Sequence, residues 1–300
     1  MAQVLKDPNS IVKEAVKEAF KELEDIDTDG YNKVEKDKTA LKEATDDATI
    51  AAQEEVNQCA IHEFGKLDLI PEAELADFVS QALSKRLPSN RIEMIAKGLQ
   101  VVTYRLNFRQ EDGVYFADIT KGGEKFMDSI RLATAEDFET ATALQIASIV
   151  VEAIFLLMSL IGIIVPEKVV ADVAQKLSKT ILQSKPVVAA ANALKRAWGS
   201  AGASSNSKAK ALWEFIKKLW EYRTEGKIFW TVVKGLCQNM GWFDWAKTIL
   251  IITATIVAAV FSGGAAMVAK IILAVISAYE FSKKIANLNE LDEIRLMVGV

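Results

Sequence analysis

The sequence predicts a mainly α-helical protein: a large helical bundle with buried apolar helices and one small β-hairpin near residues 101–120. Three observations carry this reading. Apolar residues recur at helical spacing towards both ends of the chain, two long stretches are nearly free of charge, and strict alternation is confined to one short region.

Asn9-Ser10 is placed to cap a helix that begins at Ile11. Ile11, Val12, Ala15, Val16, Ala19, Phe20 and Leu23 then share one face, with Lys and Glu on the other. The acidic turn Asp25–Gly30 ends this helix. A second, polar and Ala-rich helix is expected over about Lys36–Phe64. A third starts near Pro71, a favoured first-turn residue, and runs to about Arg86, before Pro88. The period then changes. Val102, Tyr104, Leu106 and Phe108 alternate with Thr103, Arg105, Asn107 and Arg109, which is the pattern of a strand. Glu111-Asp112-Gly113 supplies a turn, Val114–Ile119 a returning strand, and Gly122-Gly123 closes it. A helix through 91–108 is the competing reading of the same run.

Helical spacing resumes near Glu124. Residues 140–165 carry one charge, Glu152, and Pro166 stops the run. A helix to about Ser184 follows, and another from Val187 to Trp198 after Pro186. Gly199–Ser207, all small or polar, is expected to be a flexible linker. An amphipathic helix covers about Lys208–Tyr222. From Thr248 to Ala269 no residue is charged, Lys270 interrupts, and Ile271–Tyr279 is apolar again. Ser262-Gly263-Gly264 inside this stretch suits a tight helical hairpin with arms of about 14 and 15 residues, too short to cross ~30 Å singly.

The 300 residues suffice for one large domain or two small ones. Residues 1–150 carry a net charge of -11 and residues 151–300 a net charge of +7. We therefore expect an acidic part, 1–135, with the β-hairpin, and an apolar, basic part, 136–300, within one continuous domain or as two. The overall charge of -4 gives no bulk electrostatic basis for nucleic-acid binding. Two cysteines, Cys59 and Cys237, read as free thiols of a reducing compartment. The first residues show no apolar run behind a basic region, so no secretory signal is expected. The chain is expected to be made in the cytoplasm, with release by another route or membrane association as alternatives.

The apolar stretches admit two readings. They are central helices of a soluble bundle, surrounded by neighbours, or segments able to enter a bilayer, which takes about 20 apolar residues. Ile154, Leu156, Leu157 and Ile161 of the first, and Ile251, Ile252, Val257, Val260 and Ile272 of the second, are the candidate insertion residues. In a carrier protein the same residues would wall a pocket for a hydrophobic small molecule.

All six tryptophans lie between residues 198 and 245, interleaved with lysines. Trp favours the membrane–water boundary, and Lys lays its stem on apolar surface with its charge near headgroups. Trp213, Lys217, Lys218, Trp220, Trp230, Trp242 and Trp245 are therefore the candidate membrane-surface residues, although a helix docked on a protein core has the same pattern.

Asp25, Asp27 and Asp29 followed by Gly30 resemble the first half of an EF-hand calcium loop. The resemblance covers about 12 residues and implies these three carboxylates as calcium ligands. The second half departs from it: Asn32 stands where an apolar residue is expected, and Lys36 where the bidentate Glu belongs. An acidic helix-terminating turn is the simpler reading, and no other cofactor is expected.

No catalytic activity is expected. His62 is the single histidine, and Cys59 one turn before it reads as a buried thiol. Phosphate-loop, dinucleotide and nucleophile-elbow motifs are missing. The reading that absorbs most features is a water-soluble membrane-active protein that binds lipid and inserts apolar helices. At the level of plan this resembles α-helical pore-forming proteins, and it makes the lipid membrane the partner. A hydrophobic-ligand carrier and an oligomeric structural or storage protein are the alternatives.

Overall fold

The computed structural model describes residues 7–59, 62–100, 103–200, 202–224 and 227–300. Val102, Ala201 and the side chains of Cys59 and His62 fall outside the described residues. The protein is mainly α-helical, with a small four-stranded sheet.

Helix α1 (Pro8–Ile26) is capped by Asp7, which accepts from the Ser10 amide, and not by Asn9-Ser10. Pro8 can occupy the first turn because an N–H there has no helical partner, so the helix starts earlier than expected. The chain re-enters a helix at once after Asp27: α2 (Thr28–Lys36) precedes α3 (Lys38–Cys59). A 3-10 helix (His62–Leu69), α4 (Glu72–Ser84) after Pro71, and α5 (Ser89–Lys97) follow.

Strands β1 (Arg105–Glu111) and β2 (Val114–Lys121) form the expected hairpin. Asp112 and Gly113 both have positive φ, 50° and 79°, as a two-residue turn matched to strand twist requires. Two short strands were not expected: β3 (Glu124–Lys125) and β4 (Ile130–Leu132), both pairing with β2. They replace the helix anticipated from Glu124, and α6 (Ala135–Leu160) begins later.

Helices α7 (Val170–Gln183), α8 (Lys185–Trp198) and α9 (Ser205–Glu221) follow. The end of the expected linker belongs to α9, because Ser204 caps it by accepting from the Ser207 amide. Then come α10 (Ile228–Leu236), α11 (Trp242–Phe261), α12 (Ala265–Ile276) and α13 (Tyr279–Val298). The arms around Ser262–Gly264 are therefore 20 and 12 residues, not equal. Asp244 and Lys247 do not stop a helix, so α11 extends back through them to Trp242. At 1.5 Å per residue it is about 30 Å long. Among the described residues α6 and α11 are long and apolar enough, by length and composition, to cross a membrane.

Contacts divide the chain into two compact units. Unit 1 comprises Met1–Met94, Met158–Ile164 and Cys237–Leu273; unit 2 comprises Ile95–Leu157, Val165–Leu236 and Ala274–Val300. In unit 1, α11 packs against α1, α2 and α3. Ala44, Ala48 and Ala52 of α3 repeat every fourth residue and are fully buried, so backbones approach closely there. In unit 2, α8 packs on α7, α9 and α13, α7 on α10, and α13 on β1. Gly235 permits the α7–α10 approach, since a Cβ there would lie 3.1 Å from two Val173 methyl carbons.

Candidate functional site

The one charge of each apolar stretch is the place to begin. Glu152 lies in the middle of the apolar part of α6 and is 2% exposed. A carboxylate there is costly unless paired and hydrogen-bonded. Lys284 of α13, equally buried, pairs with it. The Thr103 amide and hydroxyl donate to the same Glu152 oxygen at 2.8 and 2.9 Å, and the Lys284 ammonium also donates to the Thr103 hydroxyl, 2.6 Å away. Tyr104 donates its hydroxyl to the Leu144 carbonyl at 2.7 Å, and Gln145 donates to the Lys284 carbonyl. Burial first, and then the Glu152 charge, push the Tyr104 phenol well above its ordinary range. The cluster lies wholly in unit 2, with Glu152 and Lys284 each 2% exposed.

Lys270, which interrupts the second apolar stretch, is 1% exposed on α12. Its ammonium donates to Glu55 of α3 at 2.8 Å and lies 3.7 Å from Glu54. Glu54 is one-third exposed and also meets Arg91 of α5 at 3.5 Å. Arg91 donates at 3.0 Å to the Leu160 carbonyl, which ends α6. The adjacent Gly162 has φ 86°, and a Cβ there would overlap the Arg91 guanidinium. The second lysine of the apolar pair, Lys247 of α11, binds Glu43 and Asp47 of α3, each at 2.7 Å. These contacts all lie in unit 1. Four acids of one helix thus hold both lysines found in residues 242–276.

The ends of α11 are unlike its middle. At its start Trp242 is 46% exposed, Trp245 is half-buried, and Lys33 lies 5.5 Å from the Trp242 ring centre. At its end Val260 and Phe261 are exposed beside the Ser262–Gly264 turn. Between them Ile252 is buried, while Ile251 and Val257 are half-buried. Ile154, Leu156 and Leu157 of α6 and Ile272 of α12 are fully buried, and Ile161 is half-buried. Leu156 belongs to unit 2 whereas Ile161, Ile251 and Val257 belong to unit 1. A cleft of about 240 Å³ in unit 2 is lined by none of them, but by Arg105, Asn107, Glu280, Lys283 and Lys284 among others.

Four of the six tryptophans are core residues here. Trp198, Trp213, Trp220 and Trp230 are each at most 7% exposed. Trp220 meets Phe229 and Trp230 edge-on at 5.3 and 5.9 Å, and Arg223 covers its face at 4.0 Å. The apolar face of α9 docks on protein, so in this fold Trp213, Trp220 and Trp230 present no surface. Lys218 is exposed and Lys217 half-buried, each paired with an acid one turn away. The grouping of Trp in sequence marks a hydrophobic core, apart from Trp242 and Trp245.

Asp25, Asp27 and Asp29 do not line a loop. Asp25 is in the last turn of α1, Asp27 caps α2 by accepting from the Gly30 amide at 3.0 Å, and Asp29 is in the first turn of α2. A twelve-residue calcium loop cannot form where residues 28–36 are helical. Among the described residues no group of three His, Cys, Asp or Glu could hold a metal ion. The acidic turn is a helix boundary built by Asp27.

Comparison with protein-family models, with curated proteins and with solved structures gives no match.

The buried ion pairs are what sequence reasoning missed. Glu152 and Lys270 were visible as lone charges in apolar runs. Their partners, 132 and 215 residues away, left no local signal.

Proposed function

We propose that this is a membrane-active protein that carries membrane-competent helices in a water-soluble fold and delivers them to a lipid bilayer. One observation carries the reading. Of the two helices long and apolar enough to span, α6 is wholly buried along its apolar part and α11 over 61% of its own, and the lone charge of each apolar stretch meets a buried partner from another helix. In a permanently water-soluble bundle, apolar residues of the same volume would fill those positions at no loss of stability.

The anatomy of α11 supports this. Aromatic rings and lysines gather at its start, as at the membrane–water boundary of a spanning helix. Exposed Val260 and Phe261 at the other end offer the first apolar contact with lipid. Released from α3, Lys247 sits beside the aromatic end, where its stem lets the charge reach water.

The test is dye release from phosphatidylcholine vesicles with and without phosphatidylglycerol, with Trp emission followed in the same samples. Leakage accompanied by a blue shift is expected. The shift should arise from Trp242 and Trp245 and disappear in the W242F/W245F variant, because the other four Trp are already buried. Absence of leakage and of any shift across both lipids and from pH 7.5 to 5 would end this reading.

A further inference from the structure

We infer that α3 is an autoinhibitory strap: its acids Glu43, Asp47, Glu54 and Glu55 hold both lysines of the apolar pair α11–α12, and loss of their charge releases that pair. The consequence for a bilayer rests on the proposed function; the strap itself does not.

The geometry is confined to unit 1. Glu43 and Asp47 are one turn apart and clasp Lys247 from the same side. Two turns further on, Glu55 takes Lys270 inside the core and Glu54 stands at the edge of the same cluster. Between these clasps the alanines of α3 lie against the core, so helix and strap are in close register. The clasps are directional contacts, whereas the burial of Ala and Ile surface between them is not.

Charge makes the strap releasable. Glu43, Asp47 and Glu54 are 52%, 32% and 34% exposed, so water and protons reach them. Glu55 is fully buried and shares Lys270 with the partly exposed Glu54. Facing these acids are Lys247 of α11, Lys270 of α12 and Arg91 of α5, and α1, which packs on α3, carries the buried Glu22. When the acids are neutral, Lys270 is a buried cation that has lost the carboxylates of α3, a strongly destabilising arrangement. The lysine escapes by moving α12 out. Arg91 loses Glu54 at the same moment and with it the brace on its bond to the Leu160 carbonyl, so the end of α6 loosens too.

The experiment is hydrogen exchange of the full chain without lipid, corrected for intrinsic rates. The E43Q/D47N/E55Q variant is compared with the parent and with E124Q, an exposed control on β3. Exchange in α11 and α12 at pH 7.5 is expected to rise about tenfold or more in the strap variant, as one lost clasp of 1.4 kcal/mol would give, while β1 and β2 stay unchanged. A second variant, E55L/K270M, replaces the buried pair by apolar groups and keeps the fold. In it, acid should no longer loosen α12. If the strap variant exchanges at the parental rate in α11 and α12, or if E55L/K270M loosens with acid as the parent does, the strap is refuted. Loosened α11 and α12 without vesicle leakage would leave the strap standing and remove the membrane reading instead.

Discussion

The two buried ion pairs cancel the same kind of charge in different settings. Glu152–Lys284 in unit 2 is enclosed on both sides, and Thr103 ties carboxylate and ammonium together with three hydrogen bonds. Lys270–Glu55 in unit 1 opens through Glu54 to Arg91, both partly exposed. A pair buried on both sides and fixed by Thr103 has its charges held by internal hydrogen bonds. A pair connected to the surface can be graded by what happens outside. Two apolar segments of similar composition are therefore secured by different devices: the middle of α6 by a closed bolt, and α11–α12 by a strap that answers to charge.

The largest test of this contrast is to remove one cation from each pair. Lys284→Met should cost about 3–5 kcal/mol in urea denaturation, since Glu152 is left charged in a dry core. Lys270→Met should cost less, about 1–3 kcal/mol, because Glu54 can turn to water and Arg91 can approach Glu55. Equal losses would break the distinction. Next comes Gly162→Ala. Its positive φ alone should cost about 1–2 kcal/mol, and its Cβ should dislodge Arg91 from Leu160. Arg91→Ala should then add little to it, as a double-mutant cycle on thermal unfolding would reveal.

Smaller is the loss expected for Asp27→Ala, about 1 kcal/mol for one helix cap. The loss should be the same with and without millimolar calcium; a calcium-dependent difference would restore the metal reading. The smallest effect concerns Cys237. Burial pushes its thiol up to about 12, so the neutral form is favoured in the folded state. The stability it contributes is intact below the ordinary value of 9.0 and falls as pH rises towards about 12. In a Cys59→Ser background a thiol reagent at pH 8 should label the folded protein slowly and the urea-unfolded protein at the rate of a free thiol.

Much of the fold was legible because its signals are local. Helical period marks α1 and α9, Pro71 and Pro88 bracket α4, and period-two alternation with Asp112-Gly113 marks β1 and β2. Where signals are short they fail. Ile130–Leu132 is too brief to show alternation, so nothing local marks β4, and Thr28–Lys36 forms a helix behind acidic residues that resemble a calcium loop. The candidate site was half legible, since Glu152 and Lys270 stand out as lone charges in apolar runs.

By itself, then, the sequence determined a mainly helical protein, a small β-hairpin, and two stretches apolar enough to need hiding from water. Hydrophobic period and turn chemistry act over a few residues, and a chain cannot conceal them. Only the tertiary structure decided which charges meet, that α9 turns its tryptophans into protein, and that α3 holds both lysines of the apolar pair. Those outcomes depend on contacts between segments far apart in sequence. Packing selects them from many sequence-compatible arrangements, because an unpaired buried charge or an exposed apolar face costs more than any local preference can repay.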